Sequence, residues 1–597
     1  MKRKTISSLI SIVIIGLIVA VGVVAYLFSQ DESPFGSAAS PTPEPPTLEI
    51  GGLVLTPPTS LADISADVQA DYPELARLLE NPELASVYKD FYITYQSGGQ
   101  EAALAMARQR GLLNENEDVV MTLVLDSGDA GPALITELEA EGVTVESSYQ
   151  ELINIIIPTN LILEQLEAQE PDLIIARISN LDHVIALRLP ERLFPEEEGF
   201  LGQGVEVTMA NRWHQTGITG QGVKVGVLDL GFARYEALLG TELPENVVVG
   251  AFGNTAYLAT QVHGTACAEI IHEMAPDAEI YLAYYDGTVP AMGQAVDWLL
   301  SQDVDIISNS TSISGLTPMD GSGIVADLAE KTHNAGRFWV NAAGNRADEH
   351  YRGTFTDTDG DTLHEFAPGV MGLPFTMKAG TATNLILSWN DWAAIDQDYD
   401  LILFDQSGNL LAKAEDFQSA QPGQRPAEVI VYRFTTAGTY LLAIQNRNGQ
   451  ARGDATLDLF VYNGQIPVEL RVATASLGTP ADARGSFTIG AVHWSNDQLE
   501  PYSSQGPTAD GRVKPDLVGP SAVKNASYAP GIFDGTSAAT PHVAAATALI
   551  LQAFPDYAPA DIVTLLQSRA VKLGDGTFDN RFGAGRLNLG SSPEAGQ

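Results

Sequence analysis

Asp534-Gly535-Thr536-Ser537-Ala538-Ala539-Thr540-Pro541-His542 is a run of mostly small residues that opens an apolar helix near the C-terminal end of the chain. A serine at such a turn is a candidate nucleophile. Gly535 lets the backbone turn sharply, and Ser537 would lie beside the N–H groups of the first helical turn, which can stabilise an oxyanion. Taken alone, the run fits a serine that caps a helix equally well.

Two distant segments supply the groups that a serine nucleophile needs. A serine hydroxyl is a weak nucleophile unless a base takes its proton and a third group orients the base. The apolar run 223–228 indicates a buried strand that delivers Asp229 at its end, and His263 opens an apolar helical run. Each has an ordinary alternative, because Asp229 fits a turn and His263 fits a helix cap or a core position. An imidazole at position 263 could face both Asp229 and Ser537.

In the order Asp, His, Ser, these segments resemble the motifs of the subtilisin-like serine proteases (subtilases). The resemblance covers residues 203–350 and 468–590 and implies that Asp229, His263 and Ser537 form a catalytic triad. It also implies an oxyanion-hole donor at Asn345, which ends the motif Phe338-Trp339-Val340-Asn341-Ala342-Ala343-Gly344-Asn345. The implied substrate cleft is lined by Ser310, Thr311, Ser312, Ala343 and Gly344.

The chemistry that the residue types allow is peptide hydrolysis. His263 would take the proton of Ser537 as it attacks a peptide carbonyl and would then protonate the leaving amine, while Asp229 fixes the imidazole tautomer. No cofactor is required for this reaction. The expected partners are therefore polypeptide substrates.

The chain departs from the family at two places. Leu230 follows the aspartate where the family usually has Ser or Thr, so a hydroxyl near the carboxylate is missing. The segment 306–312 lacks the family's usual Leu-Gly-Gly-like stretch in the cleft wall, so the cleavage preference does not carry over from relatives. The first departure, together with the β-rich residues 351–467, motivates an alternative from another class, a weak or inactive subtilase scaffold that acts as a surface binding or adhesion protein.

Composition narrows the partners and the compartment. The chain has 597 residues, 32 Lys and Arg against 75 Asp and Glu, and a net charge of 32 − 75 = −43, which disfavours nucleic acid as a partner. A basic start, Met1-Lys2-Arg3-Lys4, precedes an uncharged apolar run within residues 1–30, which predicts a signal-anchor or signal peptide. The catalytic part is expected outside the cytoplasm, on the cell membrane or secreted after processing.

Three further segments precede the subtilase-like part. Residues 31–58 are rich in Pro and predict a linker, and residues 59–115 have helical apolar spacing. Residues 116–195 follow the order strand, helix, strand, strand, helix, strand, which favours a ferredoxin-like α+β sandwich. Before a subtilase domain, this sandwich resembles the inhibitory propeptide of a zymogen; a permanent structural domain is the alternative. The acidic segment 195–199 is a candidate processing point.

The predicted fold is α/β. Strands and helices alternate over residues 203–350, which indicates a subtilisin-like parallel sheet covered by helices on both faces. Residues 351–467 have β-rich segments between Gly, Asn and Asp turns and predict an all-β sandwich inserted into that domain. Residues 468–590 return to the sheet and complete it.

One acidic turn suits a metal ion. Asp357, Asp359 and Asp361 alternate along Asp357-Thr358-Asp359-Gly360-Asp361-Thr362, and carboxylate oxygens are the ligands that calcium prefers. The spacing is not that of an EF-hand, because the glycine comes too early. A structural calcium site and a solvated acidic turn both remain open at this stage.

Overall fold

The structure is a computed structural model. It describes residues 48–50, 53–55, 81–114, 116–168, 173–190, 194–195, 198–200, 203–447, 452–529 and 531–593. The predicted signal-anchor lies outside these residues, as does most of the Pro-rich linker. In the part of the chain that is described, helices long and apolar enough to cross a membrane are absent.

The first described elements are two short strands, β1 (Leu48–Ile50) and β2 (Leu53–Leu55), which pair antiparallel with each other. Residues 81–190 then form the N-terminal domain. Its elements are α1 (Ser86–Gln109), β3 (Val119–Leu125), α2 (Gly131–Ala140), β4 (Thr144–Tyr149), β5 (Leu152–Ile157), α3 (Thr159–Glu167), α4 (Ile174–Ser179) and β6 (Val184–Arg188).

The N-terminal domain has the predicted order of strands and helices. Its antiparallel sheet runs β4-β5-β3-β6, so the first and third of its strands lie at the centre, as a ferredoxin-like sandwich requires. Helix α1 is kinked at Gly99 and buries Tyr88, Phe91 and Tyr92 in the same apolar cluster as the sheet. Residues 81–114 of the predicted helical segment are therefore part of this domain.

Two short strands follow the N-terminal domain, β7 (Phe194–Pro195) and β8 (Glu198–Phe200). The central domain comprises residues 203–349 and 468–593. Its first part contains α5 (Gly204–Val207), α6 (Ala210–His214), β9 (Lys224–Asp229), α7 (Tyr235–Leu238), β10 (Val248–Phe252), α8 (His263–Met274), β11 (Glu279–Tyr285), α9 (Val289–Ser301), β12 (Ile306–Asn309), β13 (Thr311–Ser312), α10 (Ile324–Asn334) and β14 (Phe338–Ala342).

An all-β insert, residues 350–467, separates the two parts of the central domain. It contains β15 (His350–Thr354), β16 (Leu373–Met377), β17 (Ala382–Trp389), β18 (Tyr399–Asp405), β19 (Leu410–Ala414), β20 (Ala427–Arg433), β21 (Gly438–Asn446) and β22 (Thr456–Val461). The strands form two antiparallel sheets, β15-β22-β17-β20 and β16-β21-β18-β19, around one apolar core. This is the β-sandwich that the alternating strands predict.

The second part of the central domain contains β23 (Ser486–His493), β24 (Leu517–Ser521), β25 (Ile532–Asp534), α11 (Thr536–Ala553) and α12 (Pro559–Arg569). Seven strands form one parallel sheet in the order β10-β11-β9-β12-β14-β23-β24. One apolar cluster packs α8, α11 and α12 against one face, and another packs α9 and α10 against the other. The predicted α/β sheet with helices on both faces is confirmed.

The N-terminal domain and the two short strands that follow it contact the central domain. The N-terminal domain packs its sheet on α9, where the Tyr149 ring lies against Gly293 and Gln294 Nε2 donates to the Ser148 carbonyl oxygen at 2.9 Å. A side chain at position 293 would meet the tyrosine ring, because an added Cβ would lie 2.6 Å from it. The strands β7 and β8 pair with β13 and β25 of the central domain.

Candidate active site

A buried carboxylate and an imidazole meet at the C-terminal edge of the parallel sheet. Asp229 is the last residue of β9 and His263 the first of α8, and both are 0% exposed. Nδ1 of His263 lies 2.8 and 2.9 Å from the two carboxylate oxygens. Because Nδ1 is turned to the carboxylate, Nε2 is the ring nitrogen left to act as a base toward the cleft.

Small residues let the helix approach the strand this closely. Gly264 N donates to the Gly231 carbonyl oxygen at 3.0 Å, and a Cβ at position 264 would lie 2.7 Å from the Cβ of Asp229. The backbone N–H of Leu230 donates to Asp229 Oδ1 at 2.8 Å. The carboxylate is therefore held by a main-chain donor although residue 230 has no hydroxyl.

Ser537 is the second residue of α11, which begins after a turn that glycine adopts easily. Gly535 precedes the helix with φ +96°, and Ser537 follows it by two residues, inside the first helical turn. The Ser537 hydroxyl donates to the Ser310 carbonyl oxygen at 3.2 Å, and the Ser310 hydroxyl donates to the Ser537 carbonyl oxygen at 3.2 Å. The ring of Phe533 meets the His263 ring edge-on at 5.5 Å between centroids. Ser537 thus contacts Ser310, the residue that joins β12 to β13, while Phe533, four residues before Ser537, contacts the imidazole.

Asn345 is fixed from its carbonyl side. Its Oδ1 accepts hydrogen bonds from Thr536 N at 2.9 Å and from the Thr536 hydroxyl at 3.0 Å. Gly344 N donates to the same hydroxyl at 3.3 Å. With Oδ1 used in this way, the Nδ2 group is the part of the amide that can donate to a developing oxyanion beside Ser537.

Comparisons with known protein families and sequences match parts of this chain. The family model for the subtilase family (peptidase S8) matches residues 220–378 and 463–585, and these segments reach into both ends of the insert. Bacillopeptidase F of Bacillus subtilis is 34% identical over 140 residues, which cover 22% of this chain and 9% of that protein. Subtilisin E of the same organism is 35% identical over 117 residues, 20% of this chain and 29% of that protein.

The two matched segments form a subtilase domain. The chain spans less than a third of the length of either of these curated relatives. A solved structure, the CspB protease of Clostridium perfringens, aligns with a TM-score of 0.47 at 16% identity, over 65% of this chain and 97% of that one.

The five residues expected in the substrate cleft of this subtilase have different environments. Ser310 is bonded to Ser537, and Thr311 and Ser312 form β13, which pairs with β7. The Thr311 hydroxyl turns inward to Asn309 Oδ1 at 2.8 Å, so β13 offers its backbone at this point. Ala343 and Gly344 lie between β14 and Asn345. All five of the expected cleft residues are buried.

The acidic turn lies in the insert. Oxygens of Asp357, Asp359 and Asp361 lie within 4.8 Å of one another. The turn also satisfies its own carboxylates, since Asp357 Oδ1 accepts from Gly360 N at 2.7 Å and Asp361 Oδ1 accepts from Leu363 N at 2.8 Å. The donor set fits calcium, and the same groups form an ordinary Asx turn without it.

A further cluster of three donor atoms lies at the catalytic end of α8. The atoms of Asp229, His263 and Cys267 lie within 4.8 Å of one another, and the Cys267 thiol is 3.7 Å from the Ser537 carbonyl oxygen. The cysteine is buried one helical turn after the histidine. Because the imidazole Nδ1 already faces the carboxylate, the arrangement fits the subtilase hydrogen-bond pair better than a metal site.

Sequence reasoning missed a polar network beneath the nucleophile turn. The Tyr502 hydroxyl is hydrogen-bonded to the Asp534 carboxylate and accepts from Gly535 N at 2.9 Å. Ser521 donates to Asp534 Oδ1 at 2.8 Å and to the Gly535 carbonyl oxygen at 3.1 Å. Tyr502 and Asp534 are 32 residues apart, and no motif or periodic spacing in the sequence joins them.

We expect Tyr502→Phe to lower kcat by about three- to tenfold with KM unchanged, because a hydrogen bond of ~1 kcal/mol that fixes Gly535 is lost. Steady-state hydrolysis of a peptide substrate by the processed protein measures this. Tyr557→Phe is the matched control, since that ring stacks on Phe554 at a surface helix end. Equal kcat values in the two variants would contradict a positioning role for Tyr502.

A second prediction concerns Glu500, which neighbours this network. The pKa of Glu500 is raised to about 7, chiefly because the carboxyl group is buried and secondly because the negative charge of Asp534 lies nearby. The folded state therefore holds this proton more tightly than the unfolded state, whose pKa is about 4.5. The contribution of Glu500 to stability is then fully present below pH 4.5 and is lost as the pH rises through about 7.

Glu500→Gln should remove part of that decrease, on the order of 1 kcal/mol, because the side chain is only half-buried and solvent screens it. Thermal unfolding at pH 5 and pH 8, in a Ser537→Ala background that prevents self-digestion, measures the difference. The exposed Glu236 offers a control in Glu236→Gln. An identical pH dependence of Tm with and without the Glu500 substitution would rule out the assignment.

Proposed function

We propose that this subtilase is an extracytoplasmic serine endopeptidase that is made as a zymogen. The observation that carries the proposal is the fully buried Asp229–His263 pair, with Nδ1 2.8 Å from the carboxylate, at the same sheet edge as Ser537. A buried carboxylate bound to imidazole both selects the tautomer and stabilises the imidazolium that forms during acyl transfer. The inactive-scaffold alternative rests on Leu230 and on the β-rich insert; against the first ground, the backbone N–H of Leu230 supplies a donor to the carboxylate.

The reaction proceeds through an acyl-enzyme. His263 Nε2 removes the proton of Ser537, whose oxygen forms a bond to the peptide carbonyl carbon. The negative charge that develops on the carbonyl oxygen is stabilised by the amide of Asn345 and by backbone N–H groups at the start of α11. His263 then returns the proton to the leaving amine, and water hydrolyses the ester by the same steps.

The N-terminal domain is the internal inhibitor in this proposal. The segment that links it to the central domain pairs antiparallel with both walls of the cleft, through β7 on β13 and β8 on β25. Pro195 pairs with Thr311 next to Ser310, and Glu198 pairs with Asp534 two residues before Thr536. Only residues 196 and 197 separate the two strands, so the processing point is expected between Pro195 and Glu198.

The location follows from the order of the segments. An apolar run within residues 1–30, preceded by three basic residues, supports an anchor that leaves the bulk of the chain outside the cytoplasm. Cleavage between 195 and 198 would separate the central domain from that anchor. The chemistry needs no cofactor, and a calcium ion at Asp357, Asp359 and Asp361 would act on the stability of the insert.

A pair of chains tests the zymogen proposal, the wild type and Ser537→Ala. In the wild type we expect cleavage between Pro195 and Glu198, labelling of Ser537 by a fluorophosphonate, and transfer of the central domain from the membrane fraction to the soluble fraction. Ser537→Ala should show none of these, because the nucleophile is absent. Mass spectrometry of the new N-terminus identifies the bond. Equal behaviour of both chains would favour the scaffold alternative.

Asn345→Ala should lower kcat by about 10²–10³, a magnitude borrowed from the corresponding donor of subtilisin, a relative of this chain. The substitution also removes the acceptor of Thr536, so Thr536→Val is the control that loses the hydroxyl contact but keeps the Asn345 amide. We expect the control to lose about fivefold at most, as for one neutral hydrogen bond. Comparable losses in both variants would mean that Asn345 acts through Thr536 and not on the oxyanion.

A further inference from the structure

The insert completes the N-terminal domain at the start of helix α1. Ala85, the residue before the helix, has no side chain that can cap it. The cap comes from the insert instead, because Ser86 N donates to Asp416 Oδ1 at 2.5 Å. A carboxylate at a helix N-terminus satisfies a backbone donor and interacts favourably with the helix dipole. The N-terminal domain thus depends on the insert for a contact that its own sequence lacks.

The end of the same helix also docks on the insert. Arg110, nearly buried, donates to the Lys413 carbonyl oxygen at 3.0 Å and lies 3.3 Å from Asp90. The chain then passes Val431 so closely that a Cβ on Gly111 would lie 2.8 Å from its methyl group. A second site of close approach pairs Gly423 of the insert with Ile185 and Ala186 of β6.

Much of this contact is charged. Asp416 and Glu415 of the insert face Lys89, Asp90 and Arg110 of the N-terminal domain, and Arg447 of the insert completes the group. Burial raises the pKa of Asp90 to about 6 and lowers that of Lys89. Burying charged groups away from water costs free energy, and these groups are hydrated again when the two surfaces separate. A charged contact of this kind is therefore typical of an interface that can separate.

The insert is fixed in turn to the wall of the cleft. Tyr462 accepts a hydrogen bond from Ser314 N at 2.8 Å, two residues after β13. Next to it, Ile386 and Phe460 pack so closely on Gly315 that a Cβ there would lie 2.9 to 3.0 Å from them. Because the insert contacts the residues that follow β13, a domain bound to the insert is also positioned relative to β13, the strand that pairs with β7.

We propose that the inserted β-sandwich is a second docking platform for the N-terminal domain, which keeps that domain on the enzyme after the junction is cut and sets the rate at which the cleft is uncovered. This inference rests on the proposed function in one respect, because it takes the junction between Pro195 and Glu198 to be cut. Its occupant is residues 81–190 of the same chain, seated by Asp416 on the N-terminus of α1 and by Arg110 on the Lys413 carbonyl.

The test separates docking from catalysis. The full chain carries Ser537→Ala and a recognition sequence for a site-specific protease, inserted between Glu197 and Glu198, and is immobilised through its C-terminus. After the added protease has cut the junction, the release of the N-terminal domain is followed over time. Asp416→Ala and Arg110→Met are compared with Asp454→Ala, which removes an exposed carboxylate 3.6 Å from Arg452 of the insert.

We expect slow release from the parent and from Asp454→Ala, and release about tenfold faster from Asp416→Ala and Arg110→Met, equivalent to about 1.4 kcal/mol. Thermal unfolding of the uncut chains confirms that all four are folded. Immediate release from the parent, or equal rates in all four proteins, would overturn the proposal. Because these chains lack the nucleophile, the result stands apart from the activity of the Ser537 chain, whose failure to hydrolyse peptides would contradict only the proposed function.

Discussion

The buried carboxylate of Asp229 is the constraint on which the rest of the site depends. A fully buried charge is costly unless it is paired and hydrogen-bonded, and here the partners are an imidazole and a backbone N–H. Both must come from elements that reach the same edge of the sheet. The need for glycine at 264 follows, because a larger residue would push α8 away from the end of β9. Because the buried Asp229 carboxylate must be paired, the end of the parallel sheet and the helix that begins at His263 must lie together.

The same edge gathers Ser537 and Asn345, the proposed nucleophile and the proposed oxyanion donor. Thr536 links them, since its N–H and hydroxyl both bind Asn345 Oδ1. Tyr502 and Asp534 support the turn from below, which fixes Gly535 at a positive φ that other residues adopt only with strain. The position of Ser537 is therefore determined by β14, by the loop before Ser503 and by its own helix, which come from well-separated parts of the sequence.

The local sequence pattern predicted much of this architecture. It did not predict the polar contacts between residues that are far apart in the chain. Alternating strands and helices indicated the parallel sheet, and the strand order of residues 116–195 indicated the ferredoxin-like sandwich, because both are periodic signals. The candidate triad and Asn345 came from motifs, and the structure brings these residues to one sheet edge. The Tyr502–Asp534 bond joins residues 32 positions apart with no periodic signal, and Asp416 caps a helix 330 residues away. Such pairs become visible only when the domains are packed together.

The placement of the insert explains how three units can act on one cleft. It leaves the central domain after β14, just beyond Asn345, and the chain returns to the sheet at β23, the strand next to β14. The segment that crosses the cleft pairs over only two residues with β13 and three with β25. Pairings this short contribute little once the junction is cut, because the strands are no longer tethered to each other. The strength with which the cleft stays covered must then come from the domain faces on α9 and on the insert, and the insert contributes the charged part of that contact.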